Sequence, residues 1–406
     1  MDKPMKGIRV LELTTYVAAP VCGRLLADMG ADVIKVERLT GDDWRSTSKA
    51  YNARFNDDEN PVFDIYNSGK RCISLNLKDE AGMEAFHKLL AQADVFITNT
   101  RPQGLKRLGI YYDDIKERYP NLIYAILLGY GEEGPDAALP AFDVTAFWAR
   151  SGFLADTGEA GENYSPTMAP FSAGDTVTGS MLLAEVCAAL FRRERTGKGD
   201  FVRAGLYHNA IFTMGTMQIV SQKPWGTKFP RTSLDAGLQG HYRCADDEWL
   251  FIAVGYAPAN LPKIYRAIGR PEMAEDPRYT TVAGLDQGNR PYVRSVLEEN
   301  FIKQPCSYWI QKAREMDIPM VQLTHFSDVT TDEQAWANGY LEEVTFRSGS
   351  QYAMPRSPLS MDSVGELKTQ CAPYVGTHTR EVLAELGYSE QAIEQMKQAG
   401  AIGTHE

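Results

Sequence analysis

The sequence predicts an α/β chain, with an open, mostly parallel sheet carrying helices on both faces and a smaller α+β domain after it. Two observations lead there. Between residues 7 and 129, short apolar runs alternate with stretches whose apolar residues recur at helical spacing. Near residue 240 the pattern changes to a hairpin followed by helices. The length, 406 residues, exceeds what one core serves and favours two domains. We read residues 1–222 as the first part of a large α/β domain, 223–328 as a linker and the small α+β domain, and 329–406 as a return to the large domain.

The elements follow in order. GIRVLEL (Gly7–Leu13) is a buried strand, and PVCGRLLADMG is a short helix opened by Pro20 and closed by Gly30. DVIKVE and CISLNL are strands, DEAGMEAFHKLLAQA is a helix, and DVFITN and LIYAILLG are further strands. This alternation implies parallel βαβ units, hence a Rossmann-like sheet. Beyond Gly134–Pro135 the chain turns more helical. DVTAFWARSGF reads as one helix, Thr176–Arg195 as a longer one stopped by RTGKGD, FVRAGL as a strand and YHNAIFTMGTMQIVSQ as a helix. Lys223–Gly240, rich in Pro, Gly and basic residues, is a boundary or a mobile loop. HYRCADDEWLFIAV is a hairpin turning at Ala245–Glu248. NLPKIYRAIG, NRPYVRSVLEENF and SYWIQKAREM are helices, and IPMVQL is a strand. The tail holds LEEVTF, a RSGSQ turn and the amphipathic helices TREVLAELG and SEQAIEQMKQAG.

Composition narrows the function. The net charge of -11 argues against a broad nucleic-acid surface, while local basic patches still suit a phosphorylated small molecule. No stretch reaches ~20 uninterrupted apolar residues, so no membrane span is expected. MDKPMKGIRVLEL enters a strand pattern with no apolar signal core. Cys22, Cys72, Cys187, Cys244, Cys306 and Cys371 form no CxxC pair and read as reduced thiols of a cytoplasmic protein. GxxxxGK[ST], GxSxG and HExxH are missing, and the six histidines are scattered. An enzyme built on this chain is expected to run without ATP, a metal or a serine triad.

Three groups of residues are candidates for a site. The first βαβ unit ends on Glu37, in outline like a dinucleotide site. Its turn, TTYVAAP, puts Ala18 and Ala19 where glycines are needed. Arg38 suits a ligand with an extra ribose phosphate, and it is equally a surface arginine. Lys70 and Arg71 beside the third strand, and Asn99, Arg101 and Arg107 after the fourth, are further polar positions near strand ends, where open α/β sheets bind ligands. Lastly, Asp175 in FSAGDTVTGS is either a helix N-cap or a nucleophilic carboxylate kept ionised by a helix N-terminus. Gly174 would leave room for an incoming acyl group, and Gly179 would let neighbouring backbone approach. Asp143 is likewise a cap ahead of VTAFWARSG or an acyl-site residue. Phe142, Phe147, Trp148 and Tyr164 either line an acyl pocket or pack in a core.

GIRVLELTTYVAAPVCGRLLADMGADVIKVER, NSGKRCISLNLK, DVFITNTRPQGLKRLG, LLGYGEEGPDAALPAFD, FSAGDTVTGSMLLAEVCAALFRRERTGKGDFV, GHYRC and YVGTHTREVLAELG occur in this order along essentially the whole chain. Together they resemble the family III CoA-transferases, and GYGEEGPDAALPAFDVTAFWARSG and DEQAWANGYL are similar to the 2-hydroxyacyl and aryl-lactate transferases of anaerobic amino-acid fermentation. The resemblance implies that Asp175 attacks an acyl-CoA thioester, giving an aspartyl anhydride and then an aspartyl-CoA thioester. It implies coenzyme A contacts at Ala18, Arg38, Asn99 and Arg107, to which Arg101 is added by position. Coenzyme A enters as a co-substrate rather than a resident cofactor, and no metal is expected. The other substrate is a small carboxylic acid, and no nucleic acid or membrane partner is expected. The resemblance also implies an interlocked homodimer. Val17 stands where formyl-CoA transferase has glutamine, which weighs against oxalate chemistry. Gly237 and Gly240 in AGLQGHYRC stand where that enzyme has a mobile glycine-rich lid. Racemases of the superfamily have His-Asp where this chain has Phe142-Asp143, which weighs against racemisation. A racemase, a transferase for succinate, carnitine or oxalate, a NAD(P) oxidoreductase and a silent CoA-binding protein remain the rival readings.

Overall fold

The computed structural model describes residues 3–405 apart from 52, 54, 159–164, 227–237 and 255–258. Two compact units are present. One comprises Met1–Ala155, Thr167–Thr227 and Glu333–Glu406; the other comprises Asp156–Pro166 and Lys228–Asp332.

The first unit is built on β1 (Arg9–Leu13), β2 (Asp32–Glu37), β3 (Arg71–Leu75), β4 (Val95–Thr98), β5 (Ile123–Leu128) and β6 (Asp200–Gly205), all parallel, in the order β3-β2-β1-β4-β5-β6. The expected parallel α/β sheet is therefore present. The order reverses between β1 and β4, where Val10 pairs with both Val33 and Val95. Such a reversal opens a crevice at the carboxyl ends of the strands. β4 and β5 are buried at every position because helices cover both faces, so their sequences do not alternate. One face packs Leu11, Phe86, Phe96 and Tyr124 in a core, the other Val10, Leu26, Ile97 and Leu182.

α1 (Ala18–Asp28), α2 (Pro61–Asn67), α3 (Glu80–Leu90) and α4 (Pro102–Arg107) flank the early strands. A long helix, Ala173–Thr196, lies against α1. At Gly179 a Cβ would run into the Ala18 carbonyl oxygen and the Val21 side chain, so only glycine lets the two backbones come this close. Among the described residues, this is the single helix long and apolar enough by composition to cross a membrane. It packs in the core of the first unit through Leu182, Val186, Ala189 and Leu190.

Several expectations change. Asp143–Ala149 is π-helical and Phe153–Asp156 a separate turn of helix, so DVTAFWARSGF is not one helix. YHNAIFTMGTMQIVSQ breaks at Met214 into Leu206–Thr213 and Gly215–Val220, because Met214 leaves helical geometry with φ -92° and ψ 9°. The tail helices form as expected (Thr379–Glu385 and Glu390–Gln398), as does the hairpin of Leu341–Thr345 with Gln351–Pro355. A short strand not foreseen, Ile402–Gly403, pairs antiparallel with the outer edge of β3.

The second unit holds an antiparallel sheet of β7 (Gly240–Arg243), β8 (Trp249–Ile252) and β9 (Met320–Gln322). Leu261–Ala267, Arg290–Phe301 and Cys306–Met316 are its longer helices. Tyr242, Tyr265, Leu297 and Phe301 form its core. Gly240, one of the lid positions, opens β7; Gly237 lies outside the described residues, as does Tyr164.

Candidate active site

A cleft of about 690 Å³ opens at the carboxyl ends of β1, β2, β4 and β5, within the first unit and over the reversal point. Six segments build it, the last being Leu206 just after β6. The β1–α1 turn supplies Thr15, Tyr16 and Ala18, and the residues after β2 supply Arg38, Asp43 and Trp44. Asn99 and Arg101 come from the segment between β4 and α4. Leu139, Phe142 and Asp143 follow β5, and Phe171, Ser172 and Asp175 start the long helix.

The sheet reversal thus brings together Ala18, Arg38, Asn99, Arg101, Phe142, Asp143 and Asp175. Arg107 does not line the cleft; it stands in the last turn of α4, on an exposed surface. Gly240 belongs to the other unit. Lys70 and Arg71 do not serve the cleft either. Lys70 is buried and bonded to Glu12, the Pro20 carbonyl and Asn67. Arg71 starts β3, at the amino end of the strand, and pairs with Asp32, Glu381 and Glu385. Glu37, which would hold a ribose in a dinucleotide site, is buried against Arg45 at 2.9 and 2.7 Å. That removes the one acidic feature favouring a NAD(P) site. Phe147 and Trp148 are core residues.

Asn99 fastens the first turn. Its Oδ1 accepts from the Thr15 N–H at 3.0 Å, and its Nδ2 donates to the Thr15 carbonyl at 2.7 Å. Tyr16 sits at φ 62°, an uncommon conformation for a tyrosine, with its N–H donated to Asp42. Asp42 is in turn paired with Lys35 at 3.0 Å, and Lys35 reaches Glu12, which Lys70 also holds. These four side chains are 0% exposed, a charged layer directly under the cleft floor. The sequence carried one signal of it, a lysine in the middle of the apolar strand DVIKVE. The Tyr16 ring meets Phe142 edge-on at 5.5 Å and Trp44 at 6.1 Å. Tyr16, Trp44 and Phe171 were not anticipated as lining residues. Arg38 pairs with Asp43 at 2.6 Å on the open rim, where such a pair is worth at most about 1 kcal/mol.

Asp175 is not the cap of its helix. The helix starts at Ala173 with Ser172 at the cap position, φ 64°, and no side chain of that segment caps it. The capping acceptor comes from elsewhere. Asp143 Oδ1 accepts from the Asp175 N–H at 2.9 Å, and Oδ2 accepts from the Ser172 N–H at 3.1 Å and from Trp148 Nε1 at 3.1 Å. Nor does Gly174 keep space for a substrate: a Cβ there would collide with the Asp143 carboxylate and the Phe147 ring. Burial first, and the Asp143 charge second, push the Asp175 carboxyl up to about 8. Burial also raises the Asp143 carboxyl, against its bonds to the Asp175, Ser172, Trp148 and Gly174 donors. Among the described residues no group of three or more His, Cys, Asp or Glu could hold a metal ion.

In chemical terms, the cleft brings a half-buried carboxylate, aromatic side chains and two arginines into one lining. Residues 5–379 match the model of CoA-transferase family III. The chain is 37% identical to (R)-2-hydroxy-4-methylpentanoate CoA-transferase of Clostridioides difficile, over 98% of this chain and 99% of that protein. It is 35% identical to cinnamoyl-CoA:phenyllactate CoA-transferase of Clostridium sporogenes, over 96% of this chain and 95% of that protein. Among solved structures, Rv3272 of Mycobacterium tuberculosis superposes with a TM-score of 0.81 at 28% identity, over 94% of this chain and 99% of that one.

Proposed function

The chain belongs to CoA-transferase family III and is a CoA-transferase, and from that premise we propose that it exchanges coenzyme A between 2-hydroxy acids and enoates carrying an apolar side chain, with Asp175 as nucleophile. The observation that carries this reading is the position of Asp175: a half-buried carboxylate in a cleft that also holds Tyr16, Phe142 and Phe171 and, on its rim, Arg38 and Arg101. Phe142 and Phe171, both largely exposed, and Tyr16 offer an apolar wall to an alkyl or aryl group. The two named relatives act on a branched 2-hydroxy acid and on cinnamoyl and phenyllactyl groups, in keeping with such a wall.

The chemistry proceeds in four exchanges. The Asp175 oxygen attacks the thioester carbonyl carbon, the C–S bond breaks, and CoA leaves as thiolate with an acyl-aspartyl anhydride behind it. The thiolate attacks the aspartyl carbonyl, releasing the donor as its carboxylate and leaving an aspartyl-CoA thioester. The acceptor carboxylate attacks that thioester, regenerating an anhydride and thiolate. The thiolate then attacks the acceptor acyl carbon, and Asp175 is returned. A thioester replaces a thioester, so no ATP is consumed. Arg38 and Arg101 on the rim suit the phosphates of coenzyme A. Asn99 holds the turn that leads into Ala18, a lining residue available to coenzyme A. A racemase is disfavoured, since Phe142 supplies no base and Asp143 is already saturated with donors.

The chain acts as a homodimer on this reading, supported by the exposed apolar residues Val177, Met181 and Phe191 on the long helix and Phe212 and Met217 beyond it. Sedimentation at micromolar concentration is expected to give twice the 45.2 kDa chain mass; a monomer would refute it. For the activity, a panel of acyl-CoA donors against one 2-hydroxy acid, read by mass spectrometry, is expected to favour branched or aryl donors. An Asp175→Ala protein that still exchanges CoA would sink the assignment.

A further inference from the structure

Asp143 acts on the first turn of the Ala173–Thr196 helix from another element, 32 residues away in sequence. Its two oxygens gather the Asp175 and Ser172 amides and the Trp148 indole. Ser172 is held in the left-handed region, φ 64° and ψ 0°, at a cost on the order of 1 kcal/mol. No side chain of its own segment caps the turn, where the one local acceptor is the Pro170 carbonyl, 3.3 Å from the Ala173 N–H. Gly174 is the residue against which the carboxylate packs. The turn that aims Asp175 is therefore imposed from outside.

We propose that Asp143 is a positioning residue: its anionic carboxylate collects the amides of residues 172 and 175, and so fixes the direction from which Asp175 meets the thioester carbonyl. This rests on Asp175 being the nucleophile. Among the described residues, Asp143 is the charged group whose field bears on Asp175; Arg38, Asp43 and Arg101 line the same cleft. The like charge has a second consequence, since it adds to burial in holding the Asp175 proton on. Position and proton affinity are thus coupled through one carboxylate.

Substitution separates the two effects. Asp143→Asn keeps the shape, removes the charge, and turns one of the two acceptors into a donor facing an N–H. We expect the pH midpoint of kcat/KM to fall by about one unit, as a nearby charge is removed. We expect the plateau kcat to fall at least about tenfold through lost orientation, with KM for the acyl-CoA within about twofold of wild type. Hydroxylamine-trapped aspartyl hydroxamate at position 175, read by mass spectrometry, should fall with kcat. Asp143→Glu retains the charge, so the wild-type midpoint should return even with a reduced rate. An unchanged midpoint in Asp143→Asn, or a rise in KM alone, overturns the proposal. Asp175→Asn is run alongside: if it still exchanges CoA, the nucleophile assignment fails on its own account.

Discussion

Asp175 is under two opposed demands. As the proposed nucleophile it must be ionised, and in the free protein burial and Asp143 keep its carboxyl at about 8. The kcat/KM for acyl-CoA is therefore expected to climb about tenfold per pH unit below 8 and to level off above it, because that ratio reports the free enzyme. A profile flat from pH 6 to 9 would contradict this. The same shift has a stability sign. The folded value lies above the ordinary 3.8, so the stability it confers is full below pH 3.8 and is lost as pH rises to about 8. Replacing the group relieves that loss. Asp175→Asn should melt roughly 2–4 °C above wild type at pH 8, and the gap should close toward pH 4 in thermal scans. The local pattern left Asp175 as either a cap or a nucleophile, and it was the family resemblance that singled it out; the helix in fact begins two residues earlier, with Ser172 at the cap position. The role of Asp143 was not legible in sequence, because no local pattern reports a carboxylate that caps a helix on another element. Arg107, implied as a coenzyme A contact by the family resemblance, stands in the last turn of α4 outside the cleft lining, a separation that chain order does not report.

Elements meet through small residues. α1 and the Ala173–Thr196 helix approach at Gly179, where the Ala18 carbonyl occupies the space of a side chain. Gly179→Ala is expected to cost about 1–3 kcal/mol in urea denaturation, as overpacking of a tight contact does. Because Ala18 lines the cleft, KM for acyl-CoA should rise with it. An unaltered midpoint would show that the helices can part freely. Strands and helices of the first half were legible because apolar period and turn residues agree there. The breaks were not: Asp143–Ala149 adopts π geometry and Met214 interrupts a helix, although both segments carry unbroken apolar patterns. Tertiary packing decides such points, and periodicity is blind to it.

At the scale of the molecule, the parallel sheet and the cleft at its reversal follow from alternating elements, and that much could be read from sequence. What could not be read is the charged layer beneath the cleft. Lys35, Glu12, Asp42 and Lys70 are dispersed along the chain and meet only when β1, β2 and their flanks assemble. Burial raises the stakes of each partner, since a charge left alone there has no water to turn to. Lys35→Met should cost about 3–5 kcal/mol in urea denaturation, and the loosened Tyr16 turn should raise KM for acyl-CoA; a cost under about 1 kcal/mol would mean the layer is dispensable.

The pairing of Ile402 with Leu75 has a temporal meaning. During synthesis β3 emerges early, and its outer edge waits bare while the whole of the second unit is made. A nascent chain thus carries an open strand edge for most of its elongation, the kind of surface that recruits other strands. His378 and Thr379 also bind this edge, so ending translation just before residue 378 would make that transient exposure permanent, and the product should form aggregates where the intact chain does not.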